Sequence, residues 1–207
     1  MRTGRSWRSF AAGALLTLIG FCAVPRPALA MIQVRFDDIS GELRRISGDL
    51  GPAQGPEMIK TTIEKYRALF SDPRVLAGLR FTKLTFGDGI AFYQFQQTYE
   101  GLEVFGSSLT VSVSNGRLQA LTSELKPNVR VDTHPAIARE EAERVARSTL
   151  RAEEGEAQTK LIVYARSEQP VLAYAVALDC KTVVIDARTA RVLEVDALFN
   201  GRAAQVN

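Results

Sequence analysis

Residues 91 to 106 read A-F-Y-Q-F-Q-Q-T-Y-E-G-L-E-V-F-G, and this stretch restricts the fold more than any other part of the chain. Ala91, Tyr93, Phe95, Gln97 and Tyr99 alternate with Phe92, Gln94, Gln96 and Thr98, the period of two that a half-buried strand requires. Glu100-Gly101 supplies a tight turn, because glycine takes the positive φ that such a connection demands, and Leu102 to Phe105 restarts an extended run. The chain therefore needs a central hairpin, and other elements must cover the face that carries its aromatic rings. Tyr93, Phe95, Tyr99 and Phe105 are expected in the core.

The first 30 residues are of a different kind. Arg2, Arg5 and Arg8 precede an apolar run from Phe10 to Val24, and Ala28-Leu29-Ala30 is the small-residue pattern that signal peptidase accepts. The run is too short for a spanning helix and is interrupted by Gly13, Gly20 and Pro25, so it predicts a secretory signal cleaved after Ala30 and no stable membrane anchor afterwards. The protein is then expected to be secreted or periplasmic. Cleavage removes four of the 26 basic residues and none of the 23 acids, leaving 22 against 23. A nearly neutral chain without a basic block argues against nucleic acid as a partner. Cys22 leaves with the signal, so Cys180 stands alone and is expected to be a buried, inert thiol.

From Met31 onward the length fits one large or two small domains, and the pattern favours two. Val34 to Pro52 reads as strand, turn and strand, with turn residues at Ser40-Gly41 and Gly48. Pro56 suits a first helical position, and Ile59, Ile63, Tyr66 and Phe70 recur at helical spacing until Ser71-Asp72-Pro73. Strands are predicted for Leu79 to Phe86 and for Ser107 to Ser114, with a turn at Gly87-Asp88-Gly89. Asn115-Gly116 is a strong type I′ signal, and a two-residue loop there would pair Ser114 with Arg117, Val113 with Leu118 and Val111 with Ala120. Residues 126 to 136 form a proline-flanked linker. A second helix starts near Ala138, whose missing hydroxyl costs about 1 kcal/mol of cap stabilisation, with Ala142, Val145, Ala146 and Leu150 as its buried stripe. Three strand regions follow to Val195, the last broken by a turn from Asp186 to Ala190.

The central run resembles the Q-Q-T-Y-x-G-x-x-V-F/W-G signature of the propeptides of thermolysin-like and fungalysin-like metallopeptidases. Val34 to Pro52 is similar to the entry segment of the same propeptides, and D-A-R-T-A-R-V-L at 186 to 193 resembles the last hairpin of a PepSY module, with Ala190 in place of the usual glycine. The resemblance implies an FTP-like domain at 31–125, a linker at 126–136, a PepSY-like domain at 137–195 and a tail at 196–207. The implied fold class is α+β: two cystatin-like modules, each a helix packed on an antiparallel β-meander. Gly101, Val104, Gly106, Asn115, Gly116 and Asp186 are the structural motif positions it implies. Gln94, Gln96, Gln97 and Tyr99 are the candidate partner contacts, although Phe92 and Gln94 stand where relatives commonly carry His and Arg. Leu198 and Phe199, the large apolar residues of the tail, are candidates for docking near a peptidase cleft.

Catalytic chemistry has little to work with. A thermolysin-like enzyme needs an HExxH helix, and His134 is the sole histidine, placed before Pro135 in the linker where a solvated side chain is expected. No Ser-His pair and no phosphate-cradling glycine loop can be assembled. Asp37-Asp38 and Glu140-Glu141 are expected at a turn and a helix start, not facing each other across a cleft. The sequence thus predicts a non-enzyme without metal or cofactor, and the resemblance implies a propeptide-like chaperone or inhibitor of a secreted zinc metallopeptidase supplied in trans. The alternatives are a remnant or split half of a zymogen, and a general cell-envelope binding module.

Overall fold

A computed structural model describes residues 31–152, 155–167, 169–178 and 181–196. The signal segment, Cys180, Leu198 and Phe199 lie outside the described residues. Strands β1 (Gln33–Phe36) and β2 (Leu43–Pro52) precede helix α1 (Pro56–Glu64), and β3 (Leu79–Gly87), β4 (Ile90–Tyr99), β5 (Leu102–Phe105), β6 (Leu109–Ser114) and β7 (Arg117–Ser123) follow. After the linker come α2 (Arg139–Leu150), β8 (Ala157–Tyr164), β9 (Val171–Leu178), β10 (Lys181–Asp186) and β11 (Val192–Asp196).

These strands do not form two separate cystatin-like modules. They make one eleven-stranded mixed sheet in the order β1-β2-β7-β6-β4-β5-β8-β9-β10-β11, with β3 paired to β4 beside that path. The finding that overturns the two-meander expectation is the parallel pairing of β5 with β8, Glu103 to Ile162, Val104 to Val163 and Phe105 to Tyr164. Helix is confined to α1, α2 and two short 3-10 turns among the described residues. The expectation failed because parallel partners far apart in sequence share no turn, so nothing local announces their pairing.

Each helix covers a different stretch of the sheet. Ile59 and Ile63 of α1 join Ile46, Phe95, Leu109, Val111 and Leu121 in the larger core. The helix is shorter than its apolar spacing predicts: after Glu64 the chain tightens into a 3-10 turn at Arg67–Leu69, and this still delivers Phe70 to the core. On α2, Ala142 and Ala146 are fully buried and pack with Leu172, Val176, Val183 and Ile185 from β9 and β10. Two alanines at the contact let the helix axis come close to the sheet. As expected, Ala138 caps α2 without any side-chain bond.

Asn115-Gly116 forms the expected turn, with φ of 51° and 69°, and Ser114 pairs with Arg117 and Val113 with Leu118. Further along, the expected register fails. An irregularity between Ser112 and Val113 leaves Gln119 out of the ladder, so Ala120 faces Ser112 and Val111 faces Leu121. The bulge keeps Leu118, Ala120 and Leu121 all buried, which strict alternation would not. In the β10–β11 turn the Asp186 carboxylate accepts hydrogen bonds from the Arg188 and Thr189 N–H groups. Ala190 there adopts φ of 58°. That left-handed conformation strains any residue with a Cβ, so Ala190→Gly is expected to raise stability by roughly 1 kcal/mol, visible as a higher thermal midpoint. An unchanged or lower midpoint would remove the strain assignment.

Candidate functional site

The residues of the central run have definite tasks in the fold. Glu100 and Gly101 both take positive φ, 49° and 82°, closing β4 onto β5 with Thr98 opposite Glu103 and Tyr99 opposite Leu102. Gln97 is only 3% exposed; its Nε2 donates to the Lys126 carbonyl and its Oε1 accepts from the Lys126 N–H, both at 2.8 Å. The start of the linker is thereby fastened to β4. Gln96 donates through Nε2 to the Val104 carbonyl at 2.7 Å and to Ser107 Oγ at 3.2 Å. Thr98 uses its N–H and its hydroxyl, both at 2.8 Å, on the Gly78 carbonyl. Val104 is fully buried with Val129, Val163 and Ala165, and half-buried Tyr99 packs against that group.

Phe105 and Gly106 then meet the second half of the sheet. The Phe105 ring stacks on Tyr164 at 5.9 Å, and the Arg166 guanidinium lies 4.7 Å from its centroid. Gly106 has φ of 86°, and a Cβ there would fall 2.7 Å from Cγ of Arg166. Glycine at this position is what lets the arginine stem cross the chain. Arg166 also pairs with Glu194, which accepts from the Tyr164 hydroxyl. Burial first, and then that carboxylate, push the Tyr164 hydroxyl up from its ordinary pKa.

Around this corner lies a cleft of about 430 Å³, lined by Arg44, Gln96, Glu103, Phe105, Gly106, Ser107, Ser108, Glu124, Lys126 and Arg166. Arg44 from β2 is held by Asp37, whose carboxyl is kept far below its usual range by the Ser40 N–H and then by Arg44 itself. Glu103 from β5 is gripped by Lys160 and, at 3.6 Å, by Arg80. The Glu103 side chain is only 17% exposed. Gly101→Val is expected to cost at least about 1 kcal/mol because a β-branched residue resists positive φ. Glu103→Gln is expected to cost roughly 0.5–1 kcal/mol through its two cations. Urea denaturation of the two variants checks both; two parental midpoints would contradict the turn geometry and the ion-pair assignment.

Of the candidate partner contacts, Gln96, Gln97 and Tyr99 converge on the hairpin, the two glutamines through its hydrogen bonds and Tyr99 through packing, while Gln94 is exposed on β4. Arg44, Lys126 and Arg166 were not singled out by sequence reasoning. They come from three segments with no common motif, and only the sheet order brings them together. His134 is exposed as expected and lies beside Asp132, 2.9 Å from its carboxylate. Among the described residues, no group of three or more His, Cys, Asp or Glu side chains is placed to hold a metal. No helix among them is long and apolar enough to cross a membrane.

Residues 82–125, from β3 through the end of β7, match the Fungalysin/Thermolysin Propeptide Motif. The chain is 34% identical over 100 residues to the thermolysins of Alicyclobacillus acidocaldarius subsp. acidocaldarius, Bacillus caldolyticus and Bacillus sp. (strain EA1). That similarity spans 42% of this chain and 18% of each relative. Among solved structures it is similar to the Bacillus megaterium YpeB C-terminal domain, with a TM-score of 0.45 and 16% identity over 79% of this chain and 75% of that one. The propeptide motif is therefore present in this chain, and its signature residues are the ones that build the β4–β5 corner.

Proposed function

We propose that this protein binds a secreted thermolysin-like zinc metallopeptidase in trans and acts as its folding chaperone, its inhibitor, or both. The observation that carries the reading is the propeptide motif at 82–125, supported by the similarity to thermolysins. The protein works by binding and not by catalysis. Residues 31–125 and 137–195 serve as two adjoining contact regions, the second PepSY-like, with 126–136 between them. Gln94 and Tyr99 offer side chains beside the central hairpin, and Leu198 and Phe199, outside the described residues, are the proposed contacts for the peptidase cleft.

A surface that fits the folded peptidase better than its unfolded chain shifts the folding equilibrium by the difference in affinity. The same complementarity, kept after folding, covers the active cleft and inhibits. The mature chain acts outside the inner membrane after cleavage near Ala30, and N-terminal sequencing of the exported protein should begin at or near Met31.

The decisive experiment titrates the mature chain against a thermolysin-like peptidase secreted by the same cell. Saturable inhibition, or a severalfold higher yield of active enzyme on refolding, is expected. Parental activity and parental refolding yield throughout the titration would overturn the proposal, and a pull-down that enriches cell-wall material instead would favour a general envelope module.

A further inference from the structure

We infer that the cleft at the β4–β5 corner is a recognition site for an acidic side chain carried on an extended segment of a partner polypeptide. The inference rests on the proposed function only for which protein carries that segment. Three cationic side chains converge there, Arg44, Lys126 and Arg166, from β2, from the start of the linker and from just after β8. Two of them are held in place by carboxylates outside the lining, Arg44 by Asp37 and Arg166 by Glu194. Lys126 differs. Among the described residues its ammonium has no carboxylate partner within ion-pair distance, although its main chain is clamped on both sides by Gln97. A half-buried cation on a fixed backbone, in a cleft of about 430 Å³ and with no carboxylate at ion-pair distance among the described residues, is prepared to receive one.

The rest of the lining selects among anions. Glu103 is neutralised by Lys160 and Arg80, but among the described residues the Glu124 carboxylate is held only by the Ser108 hydroxyl, at 3.0 Å. Its charge disfavours dianionic phosphate and nucleic acid, both of which bring more negative charge beside it than a single carboxylate does. One carboxylate meets one uncompensated cation and leaves Glu124 tolerable. Gln96 spends its Nε2 on the chain, and its Oε1 makes no bond to another described residue, so it can accept from a peptide N–H entering the cleft. Side-chain hydroxyls at Ser107 and Ser108 extend the polar wall. A carboxylate followed by peptide N–H groups is the ligand chemistry this set of groups complements.

The test uses the mature chain and a capped pentapeptide, Gly-Ser-Glu-Ser-Gly, with its Gln analogue and inorganic phosphate as the other two probes. Amide shifts in the nuclear magnetic resonance spectrum should move saturably at Gly106, Ser107, Ser108 and Lys126 with the acidic peptide. Both other probes should bind at least about tenfold more weakly. Lys126→Gln should weaken the acidic peptide by about fivefold or more while leaving the unfolding midpoint unchanged, because Gln97 holds only the main chain of residue 126. Equal binding of the Gln analogue or of phosphate, shifts that avoid the cleft, or an unaffected Lys126→Gln variant would each overturn the inference. If the acidic peptide binds as expected while no secreted metallopeptidase is inhibited, the cleft stands and the peptidase reading falls. If the peptidase is inhibited but the peptide result fails, the opposite holds.

Discussion

Gln97→Ala is expected to lower the unfolding free energy by about 2–4 kcal/mol, one of the two largest effects foreseen here for a single side chain. The amide is buried and uses both its ends on the Lys126 main chain, so removing it strands a donor and an acceptor where water has little access. Gln94→Ala, three positions earlier on the same strand and exposed, should stay within about 0.5 kcal/mol of the parent. Urea denaturation followed by far-ultraviolet circular dichroism measures both, since the one tryptophan, Trp7, precedes the expected cleavage site. Coincident transitions for the two variants would mean that the linker is not held by this residue.

Gly78→Ala is expected to cost about 2–3 kcal/mol or more, for a reason unrelated to φ. A Cβ at this position would stand 2.3 Å from the Thr98 carbonyl oxygen, and main chain cannot rotate aside as a side chain can. The displacement would also pull on the two hydrogen bonds that Thr98 sends to the Gly78 carbonyl. Gly87→Ala, at the other end of β3, meets nothing within 4 Å and should be neutral or slightly stabilising through the unfolded chain. Thermal or chemical unfolding of the pair separates close approach from mere loss of glycine, and a mild Gly78→Ala would show that β3 and β4 can move apart.

What could be read from the sequence was local. The β4–β5 and β6–β7 hairpins were legible because turn residues and alternation sit within a dozen positions of one another. So were Pro56 at the start of α1 and the uncapped Ala138. The bulge at Gln119 was not, because alternation alone says nothing about which residue drops out of a ladder. The length of α1 was overestimated since a 3-10 turn can bring Phe70 inward as well as a continuous helix would. The fold class was missed for a deeper reason. Glu103 meets Ile162 across nearly 60 residues by parallel pairing, and no composition or turn marks such a partner. The cleft followed the same rule: Arg44, Lys126 and Arg166 become neighbours only once the sheet order is known.

The parallel seam between β5 and β8 has a consequence for any partner that touches both halves of the chain. Three residue pairs and the Ala165 N–H bond to the Phe105 carbonyl join the halves through main chain, not through side-chain packing alone. Rotating one half against the other would break those hydrogen bonds together. The alignment of the two halves is thus completed during folding, so a partner that spanned them would have less orientational freedom to remove when it binds, and more of its contact energy would be left to appear as affinity.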